Sequence, residues 1–203
     1  MSTTENQINL LSEYDFIVAI DASASMGTED MPGNRSRWQF MQETAQAFCR
    51  DMQKLDSDGI DIVVFSGASI DTYEGATSEK VAEIFRTRSP RGGTPLAEAL
   101  QAALKLAGKS DKKDFIIVFT DGEPDDKDAA AKVIRDASNK LTADDQLTIL
   151  FVQVGRDAQA TAYLRNLDDN LKGAKFDIVD VRTVDEAEKF ASTAELIVAA
   201  IND

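Results

Sequence analysis

A chain of 203 residues, 43% of them hydrophobic, is the size of one layered domain around a continuous core. Its formal charge of -14 repels phosphate backbones and anionic lipid, which argues against nucleic acid and membrane surfaces as partners, and RTRSPR (86–91) is its densest basic stretch. With no histidine there is no imidazole base or imidazole metal ligand, and the single Cys49 excludes an internal disulfide and a thiolate zinc site, so oxygen chemistry remains.

Residues 1–12, MSTTENQINLLS, lack the basic start and apolar run of a signal peptide and are expected as a flexible tail ahead of a single domain over 13–203. No run approaches the roughly 20 apolar residues of a spanning helix. A lone cysteine favours a reducing compartment, so the expectation is a soluble, cytoplasmic protein.

In chain order, DFIVAI (15–20) is the first near-continuous apolar run. Trp38, Met41, Ala45, Phe48, Met52 and Leu55 then recur at helical spacing as a core stripe, with Cys49 beside it as a small buried residue. DIVVF (61–65) follows, and SIDTYEG (69–75) comes so soon after it that the two make an antiparallel edge hairpin. Leu96, Leu100, Ala103, Leu104 and Ala107 mark a helix before DFIIVF (114–119), and helices over 129–137, 160–167 and 187–201 alternate with strands LTILFVQV (147–154) and FDIVDV (176–181). Apolar runs of this kind are strands covered on both faces. The alternation predicts a doubly wound α/β domain of three layers, with a mostly parallel sheet and one antiparallel edge strand.

Ligands of such sheets sit beyond the carboxyl ends of the strands. The first strand ends there in Asp21, Ser23 and Ser25, small oxygen donors that alternate along a loop. Asp121 leaves the DFIIVF strand in the same way, and RGGTPLAEAL sets Thr94 before a helix, with Pro95 expected at its first position. If the two strands are neighbours, these loops converge. Hydroxyls with two carboxylates suit a hard divalent cation, Mg²⁺ before Mn²⁺ or Ca²⁺, and leave it under-neutralised and attractive to an outside acid.

DASAS, GGTPL and FTDG, in this order and each in this context, resemble the metal-ion-dependent adhesion site of von Willebrand factor type A domains, and the resemblance spans residues 14 to about 200. It implies that Ser23, Ser25 and Thr94 ligate a metal directly, while Asp21 and Asp121 act directly or through water. It also implies a strand order of 3-2-1-4-5-6, a partner protein that completes the metal shell with Asp or Glu, and an adaptor role that extends to assemblies driven by ring-forming ATPases. Many members have glycine between the two serines, where this chain has Ala24.

Other readings stand beside this one. Asp21, Ser23 and Thr94 are each ordinary turn or cap residues. The acids of DGEPDDKD (121–128) suit the N-terminus of the next helix better than a second cation loop. Arg35 and Arg37 lie close to the first loop in sequence, placed to greet an acidic partner or to serve solubility. A magnesium-dependent phosphoryl-transfer enzyme of haloacid-dehalogenase type would use Asp21 as nucleophile with Asp121, Asp125 or Asp126 on the metal, but Ser23 stands where its second acid belongs. A scaffold of the same fold without metal is the third reading.

Overall fold

The computed structural model describes residues 3–54 and 59–203. Six strands form one sheet in the order β3-β2-β1-β4-β5-β6: β1 (Tyr14–Asp21), β2 (Ile60–Ser66), β3 (Ser69–Ala76), β4 (Lys113–Thr120), β5 (Leu147–Gln153) and β6 (Val179–Thr183). All neighbours are parallel except β2 and β3, whose antiparallel hairpin closes one edge. The expected order and the expected antiparallel edge are both present.

Strand alternation sorts the core into two layers. Phe16, Val18 and Ile20 of β1 face a cluster shared with α1 (Thr3–Leu11), α2 (Arg37–Met52), α3 (Ser78–Thr87) and α8 (Thr193–Ile201). Ile17 and Ala19 face the other cluster, covered by α4 (Leu96–Leu106), α5 (Lys127–Ser138) and α6 (Ala158–Asp169). The sheet is thus buried on both faces, which is why its central strands read as unbroken apolar runs.

Helix α2 starts at a capping box, in which Ser36 and Gln39 exchange side-chain and backbone hydrogen bonds, and it buries the expected stripe of Trp38, Met41, Ala45, Phe48 and Met52. Leu55 falls outside the described residues. Cys49 is buried there as a free thiol, and burial pushes its pKa up to about 11, so it stays an unreactive apolar residue.

Four boundaries differ from the sequence expectation. The segment read as a loose tail forms α1, with Leu11 buried and Leu10 packed on the core, because those two leucines find the face of α8. Helix α3 was not anticipated; Val81, Ile84 and Phe85 seat it on α2, with the Trp38 and Phe85 rings 4.3 Å apart. The expected helix 187–201 is two, α7 (Val184–Ala187) capped by Thr183 and α8 capped by Ser192, since each hydroxyl starts its own turn. Strand β6 begins three residues late because Phe176 is tied to α5 instead: its N–H donates to Ser138 Oγ and its carbonyl accepts from the same hydroxyl, each at 2.8 Å.

Candidate metal site

Strands β1 and β4 are direct neighbours, with Ile20 beside Phe119, so the residues that follow, Asp21 and Thr120, leave the sheet at one level. Both are fully buried, and Thr120 Oγ1 donates to Asp21 Oδ2 at 2.7 Å. The other carboxylate oxygen of Asp21 accepts from the Ser23 backbone N–H at 2.8 Å, which folds the chain back on itself. A 3₁₀ turn, Ala24–Gly27, follows, held in the core by fully buried Met26. Ser23 precedes that turn without capping it, and its hydroxyl lies 3.0 Å from Ser25 Oγ instead. Ser25 Oγ in turn donates to Asp121 Oδ1 at 2.8 Å. Ser23, Ser25 and Asp121 thus form one continuous hydrogen-bonded row, 96 residues apart at its second step, with Asp21 at its root.

Thr94 reaches the same end of the sheet on a loop stitched to its neighbours by backbone hydrogen bonds. Arg91 N–H donates to the Ala22 carbonyl at 2.9 Å, Ala24 N–H to Gly92 at 3.0 Å, and Gly67 N–H to Gly93 at 2.9 Å. Gly92 has φ +71°, and a Cβ there would meet the Cα of Gly67 at 2.8 Å, so the close pass of these two loops requires glycine. Thr94 itself is buried. Its carbonyl accepts from Leu96 and Asp125 N–H, while its hydroxyl makes no hydrogen bond among the described residues. Pro95, expected at the first helical position, is instead the residue before it, with ψ 65° outside the helical range.

Arg37, read in the sequence as an exposed charge, turns inward. Its Nη1 donates to Asp121 Oδ2 at 2.8 Å, and its Nη2 and Nε bind Asp30 at 2.6 and 3.0 Å. Gly155, with φ +86°, leaves room for the guanidinium, since a Cβ there would lie 2.6 Å from Arg37 Nε. The guanidinium is held more firmly protonated, first by Asp30 and also by Asp121. Burial, reinforced by Asp121, pushes Asp21 up to about 7, against the hydrogen bonds from Thr120 and Ser23 that favour its charged form. Arg35 stays at the surface, paired with Glu43. The sequence cue to Arg37 was its place at the start of α2, a few residues beyond the metal loop; its direction was not legible.

The donor set fits a hard cation. Two buried carboxylates lie at one end of the sheet with three hydroxyls, all oxygen donors of the kind a hard cation takes, while Arg37 already offsets the charge of Asp121. Among the described residues no group of three or more His, Cys, Asp or Glu is placed to hold a metal; here the carboxylates number two and the rest of the set is hydroxyl oxygen. Ala24 is exposed and has no positive φ, so glycine is not required between the serines.

The phosphoryl-transfer constellation does not assemble. Ser23 occupies the place of its second acid, Asp126 is spent as the N-cap of α5, accepting from Ala129 N–H at 2.9 Å, and Lys113 sits at the opposite end of β4, paired with Glu13 and Asp145.

No curated protein matches the chain. Several solved structures share its fold. The PilB minor pilin from Streptococcus sanguinis superposes with a TM-score of 0.63 at 14% identity, over 93% of this chain and 60% of that one, so this chain spans less than two thirds of its length. An aerotolerance-related membrane protein from Bacteroides fragilis gives 0.63 at 18% identity, over 93% and 98%. The manganese-loaded TRAP protein of Plasmodium vivax gives 0.63 at 16%, over 87% and 71%. The cytoplasmic location expected from the sequence is overturned by these neighbours, a pilin and a membrane protein among them. The physical reason is that a single cysteine buried as a core residue carries no information about compartment. Among the described residues no helix is long and apolar enough to cross a membrane. Residues 16–123, more than half of the chain, match the von Willebrand factor type A domain, and the DASAS, GGTPL and FTDG segments all fall inside that match; the chain belongs to this family.

Proposed function

We propose that this chain is a non-enzymatic interaction module that binds a partner protein through a divalent cation, Mg²⁺ first and Mn²⁺ or Ca²⁺ next. Ser23, Ser25 and Thr94 would hold the cation directly, and Asp21 and Asp121 directly or through water. The bound cation supplies an electrophilic point that a partner's Asp or Glu completes. The observation that carries this reading is the row of Ser23, Ser25 and Asp121 rooted on buried Asp21, with a Thr94 hydroxyl that makes no hydrogen bond among the described residues. Caps and turns alone do not require that arrangement. That one fold neighbour is manganese-loaded and others are pilins and a pilus adhesin supports both the cation and the binding role.

The test is calorimetric titration of Mg²⁺, Mn²⁺ and Ca²⁺ into the protein and into Asp21→Ala. Saturable binding that disappears in the variant is expected. Absence of binding and of any cation-induced rise in thermal stability, or equal binding by the variant, would replace this reading with a metal-free scaffold.

A further inference from the structure

Beside the candidate metal site, between the β2–β3 hairpin and the end of α3, lies a polar cavity of about 450 Å³. Ser66, Ser69, Asp71, Tyr73, Arg88 and Arg91 shape it, and Ala22 of the metal loop forms part of its wall. Two guanidinium groups therefore face one carboxylate, in a chain whose total charge is -14. The carboxylate is already used: Asp71 Oδ2 is paired with Arg88 Nη2 at 2.8 Å and accepts from Ser69 Oγ at 2.5 Å. Arg88 Nη2 also donates to Tyr73 Oη at 2.9 Å, which fixes that side chain against the wall. Arg91 is different. It is exposed, and its guanidinium makes no ion pair or hydrogen bond among the described residues, while its backbone N–H is pinned to the Ala22 carbonyl at 2.9 Å. The surplus positive charge of the cavity is thus carried by Arg91, which acts on Asp71 only at longer range than Arg88 does and is anchored one residue from Asp21.

We propose that this cleft is an anion subsite that takes a second carboxylate of the same acidic partner segment whose first carboxylate completes the cation; the shared-partner element rests on the metal-site reading above. The charge match favours a carboxylate over a phosphate. One surplus positive charge balances one negative charge, whereas a phosphorylated side chain brings nearly two. Arg91 offers the planar fork that pairs with both oxygens of a carboxylate, with serine hydroxyls lining the same wall. The backbone bonds from Arg91 to Ala22 and from Ala24 to Gly92 fix the two anion-binding points on one rigid seam, so a short acidic segment would meet both.

The experiment follows the arginine Nε–H signals of the full chain by NMR in chelator and low salt, titrating with a blocked diglutamyl peptide and, separately, inorganic phosphate. The expected result is saturable movement of the Arg91 and Arg88 signals by the peptide, about tenfold weaker in Arg91→Gln. No saturation, equal affinity in Arg91→Gln, or tighter binding of phosphate than of the peptide would overturn the carboxylate subsite. Repeating the titration with Mg²⁺ separates the two proposals. A gain for the diglutamyl over a monoglutamyl peptide, lost in Asp21→Ala, supports the shared partner. Saturation without that gain keeps the anion cleft and overturns its link to the cation.

Discussion

Arg37 Nη1 lies 2.8 Å from Asp121 Oδ2, and the Asp121 side chain is fully buried, so an internal cation sits on one of the two acids of the candidate metal site. The geometry leaves Asp121 Oδ1 to Ser25 and gives Oδ2 to Arg37. Arg37 therefore holds the carboxylate in one orientation, and its charge also opposes a second cation nearby.

Arg37→Met separates these effects. Removing one partner of a buried pair is expected to destabilise the protein by about 3 kcal/mol. Mg²⁺ is expected to restore more stability to this variant than to the wild type, because the competing charge is gone. Thermal unfolding with and without Mg²⁺ checks this; an equal or smaller gain in the variant would show that Arg37 assists cation binding by holding Asp121 in place.

Thr94→Ala tests the site without disturbing the fold. Since the hydroxyl makes no hydrogen bond among the described residues, its removal should change stability by less than about 0.5 kcal/mol while weakening cation binding at least about tenfold, as a lost charge-bearing contact implies. Urea unfolding and calorimetry together read it. Unchanged cation affinity would remove Thr94 from the ligand set.

Gly92→Ala and Gly93→Ala should differ sharply. At Gly92 a methyl group meets the Gly67 backbone at 2.8 Å with φ at +71°, so the seam between the two loops must open, at a cost of about 2 kcal/mol or more. At Gly93 it meets the oxygens of exposed Asp125 at 2.4 to 2.6 Å, and that carboxylate can swing away. Comparative denaturation of the two variants decides whether the seam is rigid; equal stabilities would contradict it.

At the β6 edge, Asp180 is buried beside Arg182, yet neither of its carboxylate oxygens has a hydrogen-bond partner among the described residues, so the ion contact is poorly aligned. Burial first, with Asp203 adding and Arg182 opposing, pushes Asp180 up to about 6, and burial with Asp180 and neighbouring acids pushes Asp168 up to about 7. Between about pH 4 and 7 the folded protein then holds protons that the unfolded chain, with ordinary carboxyls near 3.9, has released. Stability from these groups is present below about pH 4, falls as pH rises through 6 and 7, and stays low above. Asp180→Asn should therefore stabilise the protein at pH 8 relative to pH 4.5, by on the order of 1 kcal/mol or about 2–4 °C in Tm. Parallel thermal melts at the two pH values test it, and an effect independent of pH would assign the change to packing.

Local sequence determined the sheet and the inventory of the site. Strands β1, β2, β4 and β5 were legible because burial on both faces demands unbroken apolar runs, and α2 because one stripe must face the core. Asp21, Ser23, Ser25, Thr94 and Asp121 could be named as candidates because DASAS, GGTPL and FTDG follow in this order, each at its own strand end or helix start, although singly each is an ordinary turn or cap residue. Tertiary structure decided what local pattern does not encode. Leu10 and Leu11 turn the N-terminal segment into a docked helix only because α8 presents a face to them. Arg37 points inward only because Gly155, 118 positions later, leaves space for it beside Asp121. The direction of a long charged side chain depends on the charges and volumes that distant segments bring to it, and those are set when the sheet closes.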